Sequence, residues 1–114
     1  LANFDSYCSS VSKMPSRVDA DYLIFSYKLN DGILSIERIW LKKIWELTSR
    51  SDRWALKTQT KKGVIYNIRP VTWYSSNPKF CVFGSKQEFV KALFETQEQY
   101  SGVSYLEEYK KNTI

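Results

Sequence analysis

The sequence predicts an α+β domain, with a mainly antiparallel sheet and helices packed on it. Three local patterns carry that prediction. "DYLIFSYKL" (21–29) is rich in β-branched and aromatic residues, meets Asn30-Asp31-Gly32, and returns as "ILSIERIWL". Asn, Asp and Gly tolerate the positive φ angles of a tight turn, so this is a β-hairpin. A second short run, "VIYNIRP", follows Gly63 and ends at Pro70 as a strand. Third, Ser85 with Glu88 three residues on is a capping box, and Phe89, Val90, Leu93 and Phe94 form an apolar face behind it. That predicts a helix over 86–99.

The remaining elements follow in order. Leu1, Phe4, Cys8, Val11 and Met14 recur at helical spacing, and Pro15 stops the helix. "KKIWELT" either continues the second strand of the hairpin or turns into a short helix. Residues 51–62 read as a helix, with Ser51 as N-cap and Gly63 as C-cap, although Thr58 and Thr60 dilute it. "TWYSSNP" is a loop and "KFCVF" a short strand. The tail adds a short helix around Val103 to Tyr109. There is no internal repeat.

A length of 114 residues suits a single domain over 1–114. An apolar share of 43% and an aromatic share of 16% are enough to form a core, which excludes a disordered chain. No apolar run is long enough to span a membrane and no signal pattern opens the chain, so a cytoplasmic location is expected. Leu1 in place of Met has two readings, N-terminal processing or a piece of a longer chain. Cys8 and Cys81 are the only cysteines, open to one disulfide or two free thiols. The chain has no histidine. That removes His-assisted nucleophiles and the usual zinc sites, leaving chemistry based on carboxylates, lysines or an oxygen-ligated metal.

Charge is concentrated. Between Arg38 and Arg69 nine basic residues face two acidic ones, so the window carries +7 against +5 for the whole chain. Basic charge with interleaved aromatics points to nucleic acid, while a solvated basic face would give the same composition. On a helix, Lys57 and Lys61 lie on one face beside Lys62 and suit phosphate contacts that position a protein without reading sequence. In a strand, Ile65, Asn67 and Arg69 share one face and Val64, Tyr66 and Ile68 the other. Arg69, stiffened by Pro70, then either forks onto a phosphate or base edge, or bonds groups inside the protein. Trp40 and Trp45 suit the core, whereas Trp73 and Tyr74 sit in a polar loop that suits surface contact. Gln59-Thr60-Lys61 spells the second half of a degenerate metal-nuclease motif, but no Asp stands at a convincing distance before it.

"GVIYNIRP", a loop, "FCVF" and then "EFVKALF" together resemble the C-terminal half of the MutH mismatch-repair nuclease and related type II restriction endonucleases of the PD-(D/E)XK group. The matching positions are Gly63, Ile68, Arg69, Pro70, Phe89, Ala92 and Leu93, and the resemblance spans residues 20–96. A family tyrosine before Ile-Arg-Pro falls one residue ahead of Tyr66. The resemblance implies a restriction-endonuclease-like fold and double-stranded DNA as partner. It implies Mg²⁺ held N-terminal to this region in a longer nuclease, and no cofactor in this chain. It leaves Lys57, Lys61, Lys62, Tyr66, Asn67, Arg69, Trp73 and Tyr74 as DNA-binding candidates and assigns no catalytic residue. A second copy or the rest of a longer nuclease is the protein partner. The alternatives are a small protein-interaction domain, such as a toxin-immunity protein, and a complete small Mg²⁺-dependent nuclease built on Gln59 and Lys61.

Overall fold

The computed structural model describes residues 3–71 and 82–113. The order along the chain is α1 (Phe4–Lys13), a 3-10 turn (Pro15–Asp19), β1 (Asp21–Asn30), β2 (Ile33–Lys43), α2 (Ile44–Leu47), β3 (Thr58–Lys61), β4 (Val64–Ile68), α3 (Lys86–Ser101) and α4 (Leu106–Asn112). The α+β class holds. Among the described residues the strands form two separate antiparallel pairs, β1–β2 and β3–β4.

Local chemistry starts and stops these elements. Asn3 caps α1 by accepting from Ser6 N at 3.0 Å, and Pro15 opens the following 3-10 turn. Phe4, Cys8 and Val11 are buried as the spacing requires, whereas Met14 points outward. "KKIWELT" resolves as both alternatives at once: Lys42 and Lys43 end β2, and Ile44 begins α2. Glu46 Oε1 accepts from Lys43 N at 2.8 Å and fixes that transition. Ser85 caps α3 through Glu88 N, and Glu88 reaches back one residue further than a capping box requires, to Gly84 N at 2.7 Å. Gly102, at φ +76°, ends the helix.

The core lies between α1, α3 and β4. Phe4, Val11, Ile44, Leu56, Ile68, Phe89, Leu93 and Phe94 are buried in it. Tyr7 meets Phe89 edge-on at 6.3 Å, and Phe83 meets Phe89 at 5.8 Å. Asn112 Nδ2 donates to Ser12 O at 2.9 Å and ties α4 to α1. Burial pushes the Cys8 thiol up to about 12, with Asp5 adding to the shift, and raises the Tyr7 phenol as well.

β1 and β2 make a long hairpin around Asp31 and Gly32, both at positive φ, the signature of a type I′ turn. One face carries the cross-strand pairs Leu23–Leu41, Phe25–Ile39, Tyr27–Ile36 and Leu29–Leu34. A bulge leaves Glu37 without a partner between Ser26–Arg38 and Tyr27–Ile36. Without it, alternation would put Glu37 and Ser35 where Ile36 and Leu34 stand.

The helix expected over 51–62 is not formed. Ser51 Oγ does accept from Trp54 N at 3.0 Å, so the capping interaction exists, but it closes one turn only. Bends follow to Leu56, and Thr58–Lys61 pair with β4. β-branched Thr58 and Thr60 suit a pleated strand, and an extended partner is available, so pairing wins over capping. Gly63 keeps its positive φ, with Lys62 at +52° beside it. The glycine is therefore the second corner of a type I′ turn rather than a helix cap. Lys57 and Lys61 consequently share no helical face.

Candidate nucleic-acid interface

The β3–β4 hairpin gathers most of the sequence candidates. Its register pairs Thr58 with Ile68, Gln59 with Asn67, Thr60 with Ile65 and Lys61 with Val64, leaving Tyr66 in a bulge. The bulge overturns the simple alternation expected for 64–70. Ile65 and Ile68, three apart, both reach the core, and Val64 and Tyr66 are exposed. Asn67 is half-buried and does not share the face of Ile65.

On the outside of this hairpin a cleft of about 380 Å³ is lined by Gln59, Thr60, Lys61, Tyr66 and Asn67. Two amides, a hydroxyl, a phenol and an ammonium supply donors and acceptors there. Lys62 sits exposed at the turn. At the other end of the hairpin, Arg69 N donates to Lys57 O at 3.2 Å, and Lys57 N donates to Ser49 O at 2.8 Å. Lys57 is half-buried and Arg69 is exposed. Arg69 therefore stands at the surface and outside the core. Its side chain makes no hydrogen bond or ion pair among the described residues. Four residue steps of extended chain separate Lys57 from Lys61, about 13 Å, so the cations stand at the two ends of the cleft.

The hairpin is anchored from behind. Leu56 N, just before β3, donates to the buried Thr96 Oγ1 on α3 at 3.0 Å. Val71 N donates to Leu47 O at 2.7 Å beyond β4. Asn3 forms a bridge with Asn67, which brings the start of α1 against β4. Sequence reasoning missed Gln59 and Thr60 as surface partners because it placed them on a helix, and read Gln59 only as a catalytic relic. Trp73, Tyr74 and Cys81 lie outside the described residues.

Trp45 and Trp54 pack at the core margin, and Trp40 is half-buried on β2. Arg53 lies over the Trp54 ring at 5.2 Å, and Arg50 over Phe83 at 5.4 Å. Those two cations are partly engaged with aromatic faces and belong to a neighbouring surface.

The carboxylates do not converge on Lys61. Asp19 binds Lys86 at 3.0 Å and Asp21 binds Lys43 at 2.6 Å. No acidic side chain lines the Gln59–Asn67 cleft. Among the described residues, no three His, Cys, Asp or Glu side chains stand close enough to hold a metal ion.

The family model of the NgoBV restriction endonuclease matches residues 1–113. The chain belongs to the NgoBV restriction endonuclease family. It is 43% identical over 101 residues to the type II restriction enzyme NlaIV of Neisseria lactamica, a match covering 87% of this chain and 42% of that enzyme. The fold matches that of a solved NlaIV restriction endonuclease with a TM-score of 0.88 and 35% identity, over 98% of this chain and 48% of the other. The chain thus spans less than half the length of either relative. Membership of a restriction-endonuclease family agrees with the type II likeness carried by "GVIYNIRP" and "EFVKALF". It gives no support to an immunity protein. None of the described helices is long and apolar enough to cross a membrane.

Proposed function

We propose that these residues are the DNA-facing, C-terminal portion of a type II restriction endonuclease of the MutH-like PD-(D/E)XK group, and that the β3–β4 hairpin lies against duplex DNA. The observation that carries this is the cleft of Gln59, Thr60, Lys61, Tyr66 and Asn67, bracketed by Lys62 at the turn and by Arg69 and Lys57 at the base. A two-stranded ribbon fits the major groove. Lys61, Lys62 and Arg69 would neutralise phosphates, with Lys57 a lesser contributor because it is half-buried. Gln59 and Asn67, directly opposed, would present their amides to base edges, and Tyr66 would pack beside them. Trp73 and Tyr74 belong to the same proposal as flanking contacts. The metal carboxylates would come from nuclease polypeptide outside these residues, and cleavage needs that part.

Fluorescence anisotropy with a labelled duplex tests this. Affinity should fall linearly on a log–log plot against salt. Replacing Lys61, Lys62 and Arg69 with Ala should make that slope shallower by about 0.9 for each phosphate no longer neutralised. Absent binding at low salt, or an unchanged slope in the triple variant, would refute the assignment. Mg²⁺-dependent plasmid cutting by this chain alone, abolished in Lys61→Ala, would instead establish the complete small nuclease.

A further inference from the structure

The β1–β2 hairpin displays an apolar face that the rest of the described fold leaves uncovered. Its four cross-strand pairs contribute eight side chains, between 49% and 65% exposed. Phe25 and Tyr27 lean on each other with ring centroids 6.3 Å apart, which confirms that they share this face. Together the eight expose on the order of 800 Å² of apolar surface, about what one partner contributes to a standard protein interface. The largest apolar patch on an ordinary monomer is smaller. A free two-stranded ribbon is also only marginally stable in water. The bulge at Glu37 keeps charge off this face, so the sequence spends an irregular residue on preserving it.

We propose that this face docks against the portion of a family-length restriction endonuclease that lies outside these 114 residues, and that the docking surface there is apolar and uncharged. Two observations favour that occupant over a second copy of the chain. The solved NlaIV relative, matched over nearly all of this chain, is about twice as long, so a body of polypeptide exists in the family to supply the cover. The hairpin also leaves both of its edges open beside that apolar face. Its opposite face is mixed, with Ile24 and Trp40, half-buried, and the exposed Ile33 set among Ser26, Lys28, Ser35, Arg38 and Lys42. Its outer edges form no ladder with any further strand among the described residues. A ribbon with one long apolar face and two open edges suits packing and pairing within a larger layered structure. An isologous dimer through the apolar face would leave both edges unpaired. The inference rests on the exposed hairpin and the family match, and stands independently of DNA binding by β3–β4.

The test uses Ile39→Cys in two settings: in this chain alone, and in a hybrid where the chain replaces the matched segment of the NlaIV endonuclease. Maleimide labelling is read against the parent chain in each setting to subtract the native thiols. Labelling should be at least ~10-fold slower in the hybrid. Equal rates in a folded hybrid would overturn the proposal, as would a chain that alone sediments as a dimer and already protects that thiol. If the hybrid does not fold, co-expression decides. The tagged chain should co-purify with the unmatched portion of the NlaIV endonuclease, and Phe25→Lys/Ile39→Lys should abolish this. Both side chains are exposed in the chain alone, so the double variant should keep its circular dichroism. Co-purification that survives the double variant, or is absent with the parent chain, would also overturn it.

Discussion

Thr96→Val should loosen the β3–β4 hairpin from the core without changing any residue on its surface. Thr96 and Leu56 are both fully buried, and the Leu56 amide donates to Thr96 Oγ1 at 3.0 Å across 40 residues of sequence. Valine keeps nearly the same volume and branching but cannot accept a hydrogen bond. The Leu56 N–H is then left buried without a partner, which costs about 1–3 kcal/mol. With a urea m-value of about 1–3 kcal/mol/M, a loss near 2 kcal/mol lowers the midpoint by roughly 1 M at unchanged m. Urea unfolding followed by tryptophan fluorescence measures the midpoint, and amide hydrogen exchange reads Leu56 directly. Because Leu56 sits immediately before Lys57 and β3, the exchange of Thr58 and Thr60 should quicken with it. A midpoint within ~0.2 M of the parent, with Leu56 still protected, would refute the claim that this bond pins the hairpin.

Two further outcomes are expected. Gly63→Ala should destabilise by about 1 kcal/mol, since Gly63 sits at φ +79° with open space around the missing side chain, so backbone strain alone decides the sign. Thermal melts would show it, and Lys62→Gly at the adjoining positive φ should be neutral or mildly stabilising. Alkaline conditions should destabilise the chain through Cys8. Its folded thiol is raised from 9.0 to about 12, so the folded state holds a proton that the unfolded state releases. That contribution is fully present below pH ~9 and is lost as pH rises toward ~12. Urea midpoints should fall less steeply across that window in Cys8→Ala, with the buried Tyr7 phenol still contributing to the decline, and thiol reagents at pH 8 should reach Cys8 only on unfolding.

Where a pattern was local, the sequence was readable. Asn30-Asp31-Gly32 encodes its own turn, Ser85 and Glu88 encode their own helix start, and Phe4, Cys8 and Val11 mark a buried stripe. The stretch 51–62 was not readable, because Ser51 and Gly63 serve either a helix or a turn. The competing structures differ in partners far away in sequence, Thr96 for Leu56 and β4 for Thr58–Lys61. The candidate site shared that ambiguity. Lys61, Lys62, Tyr66, Asn67 and Arg69 could be named from charge and residue type. Their faces could not, since the bulge at Tyr66 shifts the alternation by one.

The α+β class, the basic middle, the lack of histidine and the likeness to restriction endonucleases could all be read from the amino-acid order. Those properties are written in composition and short-range pattern. Tertiary structure decided that "KKGVIYNIRP" is a hairpin corner, that Gln59 and Asn67 stand opposite each other, and that Arg69 faces outward. It also decided that the apolar pairs of β1 and β2 stay exposed. Each depends on which distant surface competes for a strand or a side chain, and cross-strand pairing and burial are set by the whole fold.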